Sequence, residues 1–315
     1  MNYGPLLFLA AFAAMSASWF GFVIGPQAQL GRQQPAAMLG SPVTYPANRS
    51  GEARQGLQIY RANGCVECHS QQVRQTGTKL IVQLVELGTN QPALAATLKR
   101  ELPSLPEAEL TRAMEKLPAA LLTTSARPDA DVLMKAIAAA GGKCSLQIVP
   151  VGPDLERGWG KRRTVAGDFL YDSPVLPGYQ RMGPDLANVG ARNPDLNWQL
   201  CHLFWPRSEV AGSGMPACEF LFEKLPLGAV RSPDALVFPA GTDPVPGFQV
   251  IPTPAARSLA AYLLSLRADA PLFEAPFSAP AVAATSTNAP AVAPGSTNAP
   301  APAAGTPPAN PPKTS

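Results

Sequence analysis

Two cysteines three residues apart with a histidine directly behind them have few chemical uses. Here they are Cys65, Cys68 and His69, in residues 64–74 (GCVECHSQQVR). This spacing attaches c-type haem: the two thiols reach the two vinyl groups of one porphyrin, and the histidine then stands beneath the iron. A structural zinc site needs four ligands, usually from a second close pair, and the chain has no second pair. A redox-active Cys-x-x-Cys has no specific need of the histidine. The spacing therefore predicts one haem c, covalently held by Cys65 and Cys68, with His69 as an axial iron ligand.

The chain of 315 residues has room for two modest domains and additional segments. A net charge of +3 is too small to imply nucleic acid as a partner, and no Lys/Arg run suggests one. Proline is abundant, with 36 residues, and from Pro280 onward the chain is a Pro/Ala/Ser/Thr tract in which STNAPA recurs. Such a composition cannot bury a core, so residues 269–315 are expected to form a disordered tail. At the other end, residues 6–24 are uncharged and apolar, and at ~1.5 Å per residue they match a bilayer core of ~30 Å. The preceding MNYGP has no basic side chain, and no A-x-A site follows. An uncleaved anchor is therefore expected over 1–25, with a linker over 26–49, rather than a signal peptide. Ala13, Ala17, Gly21 and Gly25 recur every four residues, a stripe that would let another transmembrane helix approach closely. Arg32, Arg49 and Arg54 follow the anchor and would keep that side cytoplasmic. Covalent haem attachment takes place outside the cytoplasm, and it decides for the periplasmic side of a bacterial inner membrane, with a single pass through the lipid bilayer.

Two helices must position the haem motif. Residues 50–63 carry Leu57, Ile59 and Tyr60 at helical spacing and end at Gly64. Residues 253–267 open with Thr253 as N-cap and Pro254 at the first position, and place Leu259, Tyr262, Leu263 and Leu266 on one face. A first helix leading into Cys-x-x-Cys-His, and a last helix with an aromatic residue on its packing face, form the outline of a class I cytochrome c. RMGPDLANVGAR (181–192) resembles that family's Gly-Pro-x-Leu loop. The resemblance implies that the Pro184 carbonyl accepts a hydrogen bond from His69 and so orients the ring. For the sixth ligand, Met215 in GSGMPACEF is followed by proline, as the methionine ligand of that family often is. His202, in LCHLFWPRSEV, is the alternative, and Met182 abuts the proximal loop, on the wrong side of the iron. His/Met ligation closes both axial positions and suits electron transfer rather than peroxidase chemistry.

The continuation Ser70-Gln71-Gln72-Val73-Arg74, the stretch 157–190 and WQLCHLFWPRSEVAGSGMP (198–216) resemble the membrane-anchored mono-haem subunit of cbb-type cytochrome c oxidases. The resemblance implies a mainly α chain with a class I cytochrome c domain over 50–78 and 152–268. It also implies Cys65 and Cys68 as thioether positions, and His69 and Met215 as axial ligands. Its partners would be the catalytic oxidase subunit, other haem c subunits and a c-type cytochrome donor. A tethered cytochrome c serving another respiratory complex is the competing reading.

Residues 79–151 interrupt that pattern. The expected order is a strand at 80–87, a helix capped by Asn90, a helix begun by a capping box at Ser104, a short apolar stretch at 117–123, a helix over 128–140, and a strand at 144–149. This is a small open-faced α/β sandwich (βααβαβ). From VQLVELGTNQPALAATLK to LMKAIAAAGGKCSLQIV it resembles the C-terminal domain of the bacterial ribosomal stalk protein. That family's factor-docking run has two lysines where this sequence has Pro106 and Glu109, so the resemblance implies the fold and not the function. A docking module for a neighbouring subunit or donor, and an inert insertion, are the two readings. Cys201 and Cys218 form a disulfide near Met215 or remain buried thiols; spacing alone leaves both open.

Overall fold

Glycine at position 56 lets two helices that are distant in sequence cross in close contact. The structure, a computed structural model, describes residues 3–31 and 33–278. An N-terminal apolar helix, α1, spans Gly4–Gln29 and is long and apolar enough to cross a membrane, with a mean hydropathy of 2.0. It widens into a π-turn at Phe20–Ile24, just before Pro26, which has no N–H to give to the preceding turn. The wide turn shifts the register of the Ala13, Ala17, Gly21, Gly25 stripe, which therefore does not run straight along one face.

Helix α2 (Gly51–Ala62) is capped by Ser50, whose hydroxyl accepts a hydrogen bond from the Ala53 N–H at 3.2 Å. Its Leu57 and Tyr60 are buried. After β1 (Gly77–Glu86) come α3 (Gln91–Glu101), α4 (Glu107–Glu115), β2 (Ala119–Thr124), α5 (Arg127–Ala139) and β3 (Lys143–Val151). Then follow α6 (Leu196–Phe204), the antiparallel pair β4 (Phe222–Pro226) and β5 (Phe248–Pro252), and α7 (Pro254–Ser265). Thr253 caps α7 through the Ala256 N–H at 3.3 Å.

Helices α2 and α7 form the centre of the main core. A Cβ on Gly56 would lie 2.6 Å from the Ser258 carbonyl carbon and 2.7 Å from Tyr262 Cβ, so only glycine permits this approach. The Tyr60 and Tyr262 rings meet at 5.2 Å. Leu200, Leu203 and Phe204 of α6, Phe222 of β4 and Val250 of β5 complete the cluster, with Leu259, Leu263 and Leu266. All four apolar residues expected on one face of α7 are buried.

The 77–151 segment builds a second cluster. Its sheet has the order β2-β1-β3, antiparallel throughout. Leu80, Val82 and Leu84 alternate onto the buried face, where Leu94, Leu98, Leu110, Leu133 and Ile137 cover them. Asn90 caps α3 by accepting from the Ala93 N–H at 3.2 Å. Helix α4 does not begin at Ser104: Pro106 is its N-cap, without any side-chain cap bond. The reason is local, because the residue before a proline is pushed out of the helical region, so Leu105 cannot belong to a first turn. The apolar stretch at 117–123 is strand β2. Strands β1 and β3 run further than the apolar alternation indicates, because Gly77↔Val151 and Thr78↔Pro150 pair through backbone alone.

The tail begins later than the composition indicates. Ala270, Leu272 and Ala275 pack with Val165, and Ser278 bonds both ways with Ile148 of β3, at 2.9 and 2.8 Å. Small apolar residues and backbone pairing hold this stretch, and neither distinguishes it in composition from the Pro/Ala repeat that follows. The repeat from Pro280 lies outside the described residues.

Candidate functional site

Gly64, at φ +64°, ends α2 in the left-handed conformation that glycine takes readily. The chain then turns through a 3₁₀ turn over Cys65–Glu67. The Cys65 carbonyl accepts from Cys68 N at 3.2 Å and from His69 N at 3.0 Å. Residues three and four apart on such a turn share a face, so the two thiols and the imidazole project from one short stretch of backbone.

His69 Nδ1 lies 2.8 Å from the Pro184 carbonyl oxygen. A carbonyl only accepts, so Nδ1 carries the proton and Nε2 keeps a free lone pair. Burial holds the His69 pKa below its usual value; the Pro184 bond and Asp185 oppose that shift without reversing it. The ring also rests against Gly183, where a Cβ would stand 2.7 Å from Nδ1 and 2.9 Å from Nε2. The Gly183 N–H bonds back to the Cys68 carbonyl at 3.0 Å.

Cys65 is a free thiol, partly buried, and burial, with Cys218 next in effect, pushes it up to about 12. A protonated, desolvated thiol is the opposite of the low-pKa thiolate that disulfide exchange uses. Among the described residues no three His, Cys, Asp or Glu side chains gather into a metal cluster. Cys201 and Cys218 are also free thiols, with Cys201 buried.

Met215 is partly buried and packs on the main core together with Cys65, Val66, Leu176, Leu186, Trp205 and Cys218. The Cys218 N–H bonds to the Leu203 carbonyl at 2.9 Å, tying the Met215 loop to the end of α6. Met182 lies elsewhere: its sulfur is 3.9 Å from Cys68 Sγ and the residue is 77% exposed. His202 stacks in parallel on Trp198 at 4.9 Å. Its Nδ1 is buried with no hydrogen-bond partner, and burial, then the neighbouring His69, push it down to about 4.

The donor set fits a haem c: two unpaired thiols, an imidazole with its second nitrogen free, a thioether in the same apolar cluster, and an orphaned ring nitrogen near His69. Sequence reasoning missed the polar layer behind the motif. Three consecutive amides leaving it are each satisfied by a distant side chain: Gln72 N by Asp185 (2.7 Å), Val73 N by Thr164 (2.9 Å) and Arg74 N by Asp154 (2.8 Å). Arg181 joins Asp154 (2.7 and 2.6 Å) to the Gln72 carbonyl. The Trp159 ring carries the guanidinium groups of Arg157 (5.0 Å) and Arg181 (5.7 Å). The unusual continuation of the motif and the 157–190 stretch were the available signals, because they contain every one of these partners except Asp154.

No curated protein matches the chain. Residues 137–230, which contain Pro184, His202 and Met215 and exclude Cys65, Cys68 and His69, match the family model described as cytochrome C oxidase, mono-heme subunit/FixO, and over that stretch the chain is similar to this family.

Proposed function

We propose that the chain is the membrane-anchored mono-haem c subunit of a cbb-type oxygen reductase, passing electrons towards the catalytic subunit and having no substrate of its own. The observation that carries the reading is the tether of His69 Nδ1 to the Pro184 carbonyl at 2.8 Å, with Cys65 and Met215 packed on one apolar cluster. The bound haem c supplies a one-electron Fe(III)/Fe(II) couple. Cys65 and Cys68 would hold it through thioether bonds, and His69 Nε2 and Met215 Sδ would be the donors to its iron. Pro184 fixes the tautomer and aim of His69. The apolar residues around Met215 exclude water and favour the reduced state of a His/Met site.

Helix α1 anchors the chain in the bacterial inner membrane, and the remainder lies in the periplasm, where haem c is attached. Partners are the catalytic subunit, other haem c subunits of the complex and a c-type cytochrome donor. Residues 79–151 form an inserted domain of ribosomal-stalk-like fold, and the cytochrome domain comprises 50–78 and 152–268.

The intact mass of the mature chain tests the reading. It should exceed the sequence mass by one haem, resistant to acid-acetone extraction; no haem, or two, refutes it. Met215→Leu should abolish the thioether-to-iron charge-transfer band of the oxidised protein. Persistence of that band overturns the distal assignment. Purification of the native membrane complex should recover this chain with an oxidase catalytic subunit, and recovery with a different redox complex refutes the oxidase assignment.

A further inference from the structure

Asp185 is fully buried, at 0% exposure, and its carboxylate lies between the two segments that define the proximal side of the site. Oδ2 accepts from the Ser70 hydroxyl at 2.6 Å and from the Gln72 N–H at 2.7 Å. Oδ1 accepts from the Ala187 N–H at 2.9 Å. Arg181 Nη2 is 3.7 Å from Oδ2, and Arg192 Nη2 bonds the Asp185 backbone carbonyl at 3.1 Å. Two backbone bonds flank this junction: Gly183 N to Cys68 O at 3.0 Å and Leu186 N to Ser70 O at 2.8 Å.

We propose that Asp185 is a positioning residue for the axial histidine: it locks the Pro184 carbonyl onto His69 Nδ1 and sets the redox balance of the iron. The proposal rests on the haem reading above. The Pro184 carbonyl belongs to the peptide plane that ends at the Asp185 nitrogen, and that plane cannot turn unless Asp185 turns with it. Three converging donors, one hydroxyl and two amides, require a group that only accepts, and an ionised carboxylate is such a group. Asparagine would present an N–H₂ to at least one of those donors. The burial of the carboxylate is compensated by these bonds, and it stands beside the histidine that would ligate the iron.

Both consequences have the same sign. A nearby carboxylate favours Fe(III), and a firmly held His69 Nδ1–H···O bond makes the imidazole a stronger donor, which also favours Fe(III). Asp185→Asn removes the charge and disturbs the clamp. It should move the Fe(III)/Fe(II) equilibrium about tenfold towards Fe(II), equivalent to ~59 mV for one electron. The His69 ring N–H should exchange with deuterium faster than in the wild type.

The test compares three purified, full-length holoproteins with the wild type by redox titration and by NMR of the ring proton. Asp185→Asn should show both changes. Ser70→Ala removes one neutral donor and should move both readouts in the same direction by less. Glu67→Gln removes the same charge from an exposed position within the motif, where solvent screens it, and should move the equilibrium less than Asp185→Asn. Wild-type values for both readouts in Asp185→Asn, or an equal shift in Glu67→Gln, overturn the proposal. If Asp185→Asn does not accumulate as holoprotein, Ser70→Ala decides, and unchanged readouts there overturn the proposal. A wild-type chain that carries no covalent haem refutes the haem reading instead.

Discussion

Gly183→Ala adds one methyl group at the tightest point of the site. Its Cβ would stand 2.7 Å from His69 Nδ1 and 2.9 Å from Nε2, where nonbonded atoms settle at about 3.5–4.0 Å. The ring or the loop must therefore retreat by roughly 1 Å. The ring is held by its 2.8 Å bond to Pro184, and the loop by the 3.0 Å bond from Gly183 N to Cys68 O, so relief in either direction breaks a hydrogen bond. Overpacking costs about 1–3 kcal/mol, and a buried donor left unpaired costs about 1–3 kcal/mol more. At roughly 2–4 °C per kcal/mol for a unit of this size, thermal unfolding should move down by about 4–24 °C. Circular dichroism of the purified holoprotein measures the shift. Gly167→Ala is the control, because a Cβ there meets nothing within 4 Å. Equal midpoints for Gly183→Ala and the wild type, with equal haem content, would refute the close packing of loop and ring.

Gly56→Ala should separate α2 from α7, because its Cβ would sit 2.6 Å from a backbone carbon of Ser258; a loss of about 3 kcal/mol or more in denaturant unfolding is expected, and a loss under about 1 kcal/mol contradicts this. Arg162 is fully buried and forks onto Asp168 at 3.0 and 2.8 Å. Arg162→Met alone should cost about 3–5 kcal/mol, and Arg162→Met/Asp168→Leu should recover much of it; a double variant no more stable than the single one counts against the pair. Burial raises the Asp154 pKa, but the bonds from Arg181 and the Arg74 N–H outweigh it and leave the folded value lowered. Its stabilisation is complete above the ordinary carboxylate value near ~4 and is lost as pH falls through the lowered value. Asp154→Asn should therefore flatten the acid limb of the stability curve, and an unchanged limb refutes the linkage. Replacing residues 80–149 with a short Gly/Ser linker should leave the reduced spectrum and potential of the haem unchanged; failure to incorporate haem would make the segment part of the cytochrome core.

The helices were legible where their signals are local. Asn90 and Thr253 are caps that bond within their own first turn, and the apolar periodicity of α7 needs no knowledge of its partner. The grouping of Cys65, Cys68 and His69 is equally local, because one turn of backbone presents all three side chains. The remaining features depend on distant partners. Arg162 carries no local signal of burial, yet it donates to the Ala270 carbonyl at 2.5 Å, 108 positions away. Asp185 sits in a loop directly after glycine and proline with no local sign of its role, and two of its three donors lie 113 and 115 residues earlier. The three-residue extension of β1 before Leu80 has no alternation to reveal it, because backbone pairing with β3 defines it.

The polar layer also shows where the chain can change in length without disturbing its neighbours. Residues 72–74 leave the haem motif extended but outside any sheet, so side chains must supply the acceptors for their amides. Asp185, Thr164 and Asp154 do so from three separate positions, which makes this stretch intolerant of change in length. Two residues further on, the constraint ends. Thr76 N bonds to Val151 O at 2.9 Å and Gly77 pairs with Val151, so the outgoing and returning strands meet at the point of departure. Asp154, which holds Arg74, lies only three residues beyond Val151. The loop is thus closed at its base by hydrogen bonds, and its closure entropy is paid there whatever lies beyond. A segment whose first and last strands pair can be long or short without displacing Arg74 from Asp154. The β1–β3 pairing that completes the sheet of residues 77–151 therefore also shields the Arg74–Asp154 junction from whatever lies between the two strands.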